Sequence, residues 1–335
     1  MAASISFILS GEILAESVEY KIKNGVLRGK LKGVELKTKL KIKIAKNAGF
    51  CFGVRRAIDL TEKTADKECK VYTLGPVIHN PQEVKRLEKK GVKTLKDPKK
   101  VKSGSIILRT HGIPFSLHKK LEENKNINVI DAACPFVKRA QNTVKQLSTD
   151  IKSKDKTIIV VGEKIHPEVI ALVSYGNGRC VVVENVKEAR KFKGSGDLNI
   201  VSQTTQTPRN FDSIVKVLKK RYKTKVYNTI CRATLDRQKA AEKLANNVNL
   251  MIVIGGKNSG NTTRLAQICS AKTETYHIET AGSVKEKWFK NINSVGLTAG
   301  ASTPDWIIKE IEMRIREIGA KRPHNFISAD IKSSK

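Results

Sequence analysis

Three cysteines stand at equivalent points of the sequence, each at the end of a short β-prone run and directly before a helix-like segment. The runs KIKIAKNAGFC, NVIDAAC and KVYNTIC end at Cys51, Cys134 and Cys231. Thiolates are common ligands of structural zinc and of iron-sulfur clusters. Zinc sites generally use closely spaced cysteine pairs, whereas these cysteines are separated by 83 and 97 residues. The spacing therefore favours a cluster held by one cysteine from each of three segments.

The sequence offers no fourth cysteine in this pattern. Cys69, Cys180 and Cys269 do not recur between the segments, and we interpret them as ordinary packing residues. A 4Fe-4S cluster with three cysteine ligands keeps an open coordination position on its fourth iron. A substrate oxygen could bind there and be activated by a Lewis acid.

Short polar side chains recur at similar distances after each cysteine. The second apolar run of each segment leads to one such residue and the third run to another: His79, His166 and Ser259, then His111, Thr204 and Ser302. With Asn261 and the backbone of the glycine-rich turns, these groups are suitable hydrogen-bond donors to a diphosphate. Neither turn matches the Walker pattern, so the sequence does not indicate nucleotide hydrolysis.

An internal repeat explains how these residues would be positioned, because each segment alternates apolar strands with helix-like stretches. We therefore predict an α/β fold of three similar units with mostly parallel sheets in a pseudo-threefold arrangement. Functional groups in such units lie at the carboxyl ends of strands and the amino ends of helices. Three units around one axis would bring the thiolates and the polar side chains to a central cavity.

The predicted boundaries follow the repeat, and the termini lie outside it. VEYKIKNGVLRGKLKG resembles a hairpin around Asn24 and Gly25. We expect an N-terminal basic extension, three α/β units and a C-terminal tail, at residues 1–38, 39–130, 131–226, 227–320 and 321–335.

The charge balance points to acidic partners, since the formal net charge is +32. No G-x-G-x-x-G follows a strand, so we expect electrons from an external donor, such as an acidic ferredoxin or flavodoxin. Lysine outnumbers arginine and aromatic residues are few, which makes nucleic acid an unfavoured partner. No apolar run is long enough to span a bilayer. We expect reduced thiols in the cytoplasm, or in an organellar stroma if residues 1–38 are a transit peptide.

Several motifs, in order over about residues 41–318, resemble the IspH/LytB family. They are GFCFGV, HNP, THG, DAACP, HPEV, SQTTQT, the C-x-AT-x-x-RQ run at Cys231, GGKNSGNTTRLA and TAGASTPD. The resemblance implies three α/β domains around a 4Fe-4S cluster that is bound by the three cysteines. It implies Glu168 as proton donor and places substrate-binding positions at His79, His111, His166, Thr204, Ser259, Asn261 and Ser302. Gly260 replaces a serine that the family often has, and its backbone N–H is expected to face the diphosphate.

The reaction implied by the resemblance is a reductive dehydroxylation. (E)-4-hydroxy-3-methylbut-2-enyl diphosphate would give isopentenyl and dimethylallyl diphosphates, in the last step of the methylerythritol phosphate pathway. One alternative is another three-cysteine 4Fe-4S enzyme such as quinolinate synthase, although HPEV and NSGN favour the first interpretation. A basic nucleic-acid-binding protein is the alternative from a different class, and it leaves the repeated cysteines unexplained.

Overall fold

A computed structural model of the protein describes residues 13–23, 26–36, 40–150, 156–194, 196–257, 259–321, 325–326 and 330–332. Its N-terminal strands β1 (Ile13–Lys23) and β2 (Val26–Leu36) pair antiparallel, with Lys23 opposite Val26. This pairing confirms the two strands of the predicted hairpin. The turn residues Asn24 and Gly25 lie outside the described residues.

The next strand is β3 (Lys41–Ile44), and it leads to the first cysteine and the first α/β unit. That unit contains the parallel strands β4 (Val71–Leu74), β5 (Val92–Leu95), β6 (Gly104–Leu108) and β7 (Ile127–Asp131), in the order β5-β4-β6-β7. Its helices are α1 (Phe52–Ala65), α2 (Pro81–Lys89) and α3 (Phe115–Glu122), with a 3-10 turn at Pro98–Lys100.

The second unit repeats this arrangement. Its parallel strands are β8 (Thr157–Val161), β9 (Cys180–Val183), β10 (Leu198–Ser202) and β11 (Thr224–Val226), in the order β9-β8-β10-β11. Its helices are α4 (Pro135–Thr149), α5 (Pro167–Ser174), α6 (Val186–Lys191) and α7 (Pro208–Lys219).

The third unit contains β12 (Leu250–Ile254), β13 (Glu274–Ile278) and β14 (Ser294–Ala299). The helices are α8 (Arg232–Ala245), α9 (Gly260–Ser270) and α10 (Asp305–Ala320), with 3-10 turns at Ala281–Ser283 and Glu286–Phe289. The sheet order is β13-β12-β14-β3, again parallel throughout. The three units therefore share one topology, and the predicted α/β class with three parallel sheets is confirmed.

The structure differs from the predicted units at β3. The predicted first unit, residues 39–130, includes this strand, but the strand pairs with β14 in the third sheet. The strands before the second and third cysteines, β7 and β11, likewise form the edges of the sheets that precede those cysteines in the chain. Because a parallel sheet can accept a short strand at either edge, β3 supplies the equivalent edge to the third unit. The chain thus closes a ring of three sheets.

Both faces of each sheet are covered, as the continuous apolar strands require. In β8, Ile159 and Val161 pack on one face, whereas Ile158 and Val160 pack on the other. This alternation follows from the two-residue period of a strand. Helix α10 covers one face of the third sheet with a stripe of isoleucines at positions 307, 308, 311, 315 and 318.

The C-terminal strands β15 (Asn325–Phe326) and β16 (Asp330–Lys332) both pair antiparallel with β2. The two ends of the chain therefore share one small sheet. Within the described ranges, no helix combines the length and the apolar composition that crossing a bilayer requires.

Candidate active site

The three repeated cysteines occupy the same structural position in their units. Cys51, Cys134 and Cys231 are the N-cap residues of α1, α4 and α8, and none of their side chains caps the helix. Each cysteine backbone N–H donates to a carbonyl in the loop after the third strand of a sheet. The acceptors are Ala301 O at 3.2 Å, Thr110 O at 3.0 Å and Thr204 O at 2.8 Å, respectively. This repeated hydrogen bond fixes each thiol to the carboxyl end of a sheet.

The surroundings of Cys134 show how closely the units approach each other. Burial raises the pKa of the Cys134 thiol to about 11, and repulsion from Cys51 and Cys231 adds to this effect. A Cβ atom at Gly53 would lie 2.4 Å from Cys134 Sγ. Residue 53 must therefore be glycine for the sulfur of the second unit to approach helix α1.

Three thiols that meet from three units are a donor set that fits an iron-sulfur cluster chemically, because metal binding favours the thiolate form. Burial also raises the pKa of Cys231. Within the described residues, no group of three or more His, Cys, Asp or Glu side chains is arranged to hold a metal ion. The assignment of the three cysteines as ligands stays a prediction.

A cavity of about 280 Å³ lies between the three units. Its wall contains every residue that the sequence analysis selected, namely Cys51, Cys134, Cys231, His79, His111, His166, Glu168, Thr204, Ser259, Gly260, Asn261 and Ser302. Their meeting at one cavity follows from the shared topology, in which strand ends and helix starts face a common centre. Their chemical roles are not tested by this geometry.

Three histidines form a compact cluster in the cavity wall. Their ring centroids are separated by 4.6 Å for His79 and His111, 5.3 Å for His111 and His166, and 6.1 Å for His79 and His166. Burial lowers the pKa of each ring, to about 4 for His166 and well below the usual value for His111. The nearby Arg109 guanidinium lowers these pKa values further. All three rings are therefore neutral near pH 7.

The tautomer of His166 follows from its role as the N-cap residue of α5. Its Nδ1 accepts the backbone N–H of Glu168 at 3.1 Å. A neutral imidazole that accepts at Nδ1 carries its hydrogen on Nε2. His166 is thus held as a hydrogen-bond donor at Nε2.

Glu168 is the only carboxyl group among the predicted residues, and it is almost completely buried. Its Oε1 accepts the backbone N–H of Thr204 at 2.6 Å, and its Oε2 accepts the Thr204 hydroxyl at 2.8 Å. Burial raises the pKa of this carboxyl to about 7, against the two bonds from Thr204, which lower it. Glu168 can therefore exchange a proton near neutral pH.

The amino end of α9 supplies unpaired polar groups. Ser259 caps this helix by accepting the backbone N–H of Thr262 at 3.3 Å. Both polar atoms of the Asn261 side chain are buried, and neither has a hydrogen-bond partner among the described residues. Such groups cost free energy unless a ligand or water satisfies them. Since α9 also directs its positive end to the cavity wall, this corner is suited to an anion.

Gly260 lies close to a carboxylate of the second unit. A Cβ atom there would lie 3.1 Å from Oε1 of Glu163, a carboxylate from the second unit. A serine there would require this exposed carboxylate to move by only a few tenths of an ångström. Glu163 also lines the cavity.

Arg237 also lines the cavity, and it was not among the predicted site residues. It is 2% exposed, and its guanidinium donates to Asn47 O at 2.8 Å and to Gly49 O at 2.7 Å. Asn47 and Gly49 have φ values of 65° and 87°, so the loop before Cys51 has left-handed backbone at two positions. Arg237 stabilises that loop from helix α8. The arginine in the C-x-AT-x-x-RQ run was the signal that could have found it.

Further polar residues line the cavity without having been selected from the sequence. They are Glu163, Gln203, Thr205, Gln206, Thr234 and Arg264. Three of them belong to the SQTTQT motif, in which only Thr204 was a predicted site residue. None of the six occupied a position that recurs in all three units, so the repeat could not indicate them.

Comparisons with known proteins agree on one family. The model of a family described as "LytB protein" matches residues 42–316. A relative from Geotalea uraniireducens is 45% identical over 289 residues, which cover 85% of this chain and all of the relative. Another, from Geobacter sulfurreducens, is 46% identical over 287 residues, covering 84% of this chain and 99% of the relative. Both are named 4-hydroxy-3-methylbut-2-enyl diphosphate reductase.

Two solved structures are also similar to the chain. One, described as the terminal enzyme of the non-mevalonate pathway, is 45% identical and has a TM-score of 0.64; the match covers 83% of this chain and 99% of that one. The other is the E-1-hydroxy-2-methyl-but-2-enyl-4-diphosphate reductase from Plasmodium falciparum. It is 28% identical with a TM-score of 0.75, and the match covers 82% of this chain and 87% of that one.

Proposed function

The chain belongs to the LytB family, and on that premise we propose that it reduces (E)-4-hydroxy-3-methylbut-2-enyl diphosphate to isopentenyl and dimethylallyl diphosphates. The family match covers nearly all of the three α/β units. The observation that carries the proposal is the single cavity in which three cysteines, a buried carboxyl and unpaired anion-binding groups meet. This reaction is the final step of the non-mevalonate route to isoprenoids.

Cys51, Cys134 and Cys231 would hold a 4Fe-4S cluster, one thiolate to each of three irons. When bound, such a cluster supplies the electrons of the reduction and, at an iron without a cysteine ligand, a Lewis acid for the substrate oxygen. Three features of the chain support this assignment: the equivalent N-cap positions, the mutual proximity of the thiols and the missing side chain at Gly53.

Asn261, Ser259, Gly260 and Ser302 bind the diphosphate in this proposal. The Asn261 amide supplies a donor that has no other partner among the described residues. The start of α9 adds backbone N–H groups and a favourable dipole. The neutral histidines add N–H donors beside it without carrying charge, and His166 is oriented for this by its bond at Nδ1.

Glu168 is the general acid. A carboxyl with a pKa of about 7 is protonated in a large fraction of molecules at neutral pH. Its position is fixed by both bonds from Thr204, whose hydroxyl extends the proton path toward the cavity. Glu168 gives its proton to the departing hydroxyl, which leaves as water, and is protonated again from solvent.

The reaction consumes two electrons and two protons for each water released. One proton leaves with the hydroxyl oxygen, and the second is added to carbon. After the hydroxyl has left, three carbons of the substrate form an allyl group. Addition of the second proton at one end or the other of this group gives isopentenyl or dimethylallyl diphosphate. The electrons come from an external protein, such as a ferredoxin or flavodoxin, and the net charge of +32 favours an acidic one.

Neither alternative function accounts for this combination. Nucleic-acid binding does not explain why three thiols meet at one cavity. The HPEV and NSGN segments, which favour the present family over quinolinate synthase, contribute His166, Glu168, Ser259 and Asn261 to the wall.

Anaerobic reconstitution with iron and sulfide tests the proposal. We expect visible absorption at about 400 nm from a bound cluster. With dithionite as reductant, we expect the substrate to be converted into both five-carbon diphosphates. A protein that takes up the cluster but leaves this substrate unchanged would contradict the proposed function.

A further inference from the structure

A second depression, separate from the cavity, lies beside the Cys134 segment. It is a surface groove of about 560 Å³ lined by Arg56, Ala133, Pro135, Lys138, Arg139, Asn142, Thr143 and Gln146, and we call it the Arg139 groove. Residues 133 and 135 line the groove, whereas Cys134 between them lines the cavity. Consecutive Cα atoms are about 3.8 Å apart. A protein seated in the groove would therefore lie one residue away from a proposed cluster ligand.

The charge of the Arg139 groove is positive. Three of its lining side chains are basic and none is acidic. Lys138 pairs with Asp131 at 2.6 Å, beside the groove. Arg139 is exposed, and no carboxylate among the described residues forms an ion pair with it. The groove thus keeps an excess of positive charge that a partner can neutralise.

Hydrogen bonds also connect one side chain of the groove wall to the backbone next to Cys134. The Arg56 guanidinium, from helix α1 of the first unit, donates to Ala133 O at 3.3 Å and to Asp131 O at 3.2 Å. Since backbone carbonyls rather than carboxylates hold this side chain, its charge also adds to the groove. A rigid, preformed surface suits brief redox encounters, which use small interfaces.

The lining favours carboxylates as the groups that would bind. The exposed Arg139 guanidinium can bind a carboxylate through paired hydrogen bonds, and Asn142, Thr143 and Gln146 add polar contacts. The residues that line the groove include no aromatic side chain on which a flavin ring could stack. These features fit an acidic electron carrier, and the lining does not indicate contact through a stacked flavin ring.

We propose that the Arg139 groove is the docking site of an acidic ferredoxin that delivers the electrons of the reaction. This inference rests on the proposed function. Each reduced ferredoxin gives one electron and leaves oxidised. Two successive encounters therefore supply the two electrons that one turnover consumes, and the accompanying protons come from solvent.

The test compares two electron sources with the same cluster-loaded enzyme. Reduced plant-type 2Fe-2S ferredoxin is one source, and dithionite with methyl viologen is the other. For Arg139→Glu at low ionic strength, we expect kcat/KM for ferredoxin to fall at least about tenfold, while dithionite-driven turnover stays unchanged. Lys309→Glu, on helix α10 of the third unit, makes the same change in charge outside the groove and should leave both activities unchanged.

Binding of oxidised ferredoxin, measured by calorimetry, gives a readout that does not depend on turnover. Arg139→Glu should weaken this binding and reduce its dependence on salt. Unchanged binding and unchanged ferredoxin-driven rates would overturn the proposal, as would an effect on a reduced flavodoxin alone. Equal losses with both electron sources would also overturn it, because the residue would then act on the site itself. A wild-type enzyme that is inactive with dithionite would instead contradict the proposed function.

Discussion

Replacing Glu168 by glutamine distinguishes two possible roles of this carboxyl group: proton donor in the reaction, or helix cap only. The substitution keeps the size of the side chain and most of its contacts. The amide oxygen can still accept the Thr204 N–H, and the amide NH₂ can donate to the Thr204 hydroxyl in reversed sense. We expect the hydrogen-bond change alone to alter the free energy of unfolding by only about 1 kcal/mol.

The effect on turnover should be far larger. An amide has no proton of suitable acidity to give, and loss of one general acid typically lowers a rate by roughly 100- to 10,000-fold. This corresponds to about 3 to 5 kcal/mol in the activation free energy. We expect Glu168→Gln to keep its iron and bind substrate, with dithionite-driven kcat reduced into this range. The wild-type rate should also decline as pH rises through about 7, where the carboxyl loses its proton, and the variant should not show this decline.

The same pKa predicts a difference in stability. Between pH 4.5 and about 7 the folded wild-type chain keeps a proton on Glu168 that the unfolded chain has lost. The stability contributed by the protonated carboxyl is therefore lost as pH rises through this window, by about 1.4 kcal/mol per pH unit and about 3 kcal/mol in all. The glutamine variant has no such proton to lose. Its stability relative to wild type should therefore increase by this amount as pH rises from 4.5 to above 7, measured by urea unfolding of the metal-free proteins.

Glu188→Gln is the matched control, because Glu188 also lies in the first turn of a capped helix, α6, and is not among the residues that line the cavity. It should keep wild-type kcat. A Glu168→Gln enzyme that turns over within a few-fold of wild type would refute the assignment of Glu168 as general acid.

The remaining predictions concern the cluster ligands and the anion site. Serine at Cys51, Cys134 or Cys231 should each lower the iron content of reconstituted protein, whereas serine at the exposed Cys69 should not; equal iron in all four would remove the ligand assignment. Asn261→Ala should raise KM by about 10- to 100-fold without lowering the melting temperature, because it removes a diphosphate donor that is unpaired in the protein itself. Unchanged KM would place the diphosphate elsewhere. Gly53→Ala should impair cluster uptake, since its Cβ would lie 2.4 Å from Cys134 Sγ, while Gly282→Ala, with no contact closer than 3.9 Å, should take up iron normally. Normal iron content in Gly53→Ala would show that the sulfur can move away freely.

The repeat in the sequence was sufficient to predict which residues would meet. Cys51, Cys134 and Cys231 each end a strand and start a helix, and the parallel topology leaves few other places for their side chains. The partner sheet of β3 was not predictable in the same way. Four β-prone residues carry no information on which of two sheet edges will accept them.

Residues outside the repeat were also missed for a physical reason. Arg237 acts through contacts with Asn47 and Gly49, which lie 190 and 188 positions away in the chain. The neutral state of His111 and the raised pKa of Glu168 both result from burial, which local sequence does not fix. Sequence therefore predicted twelve residues of the cavity wall, whereas the other lining residues and the electrostatics required the three-dimensional structure.

Mössbauer spectroscopy of protein reconstituted with ⁵⁷Fe tests whether three cysteines hold a cluster with one iron free for the substrate, because it resolves the individual irons. Three cysteines from three units predict about four irons per chain, three with a thiolate ligand and one without. The signal of that unique iron should change when the substrate is added, and the other three should change little. Iron that is absent, or a set of equivalent irons that does not respond to the substrate, would contradict the account.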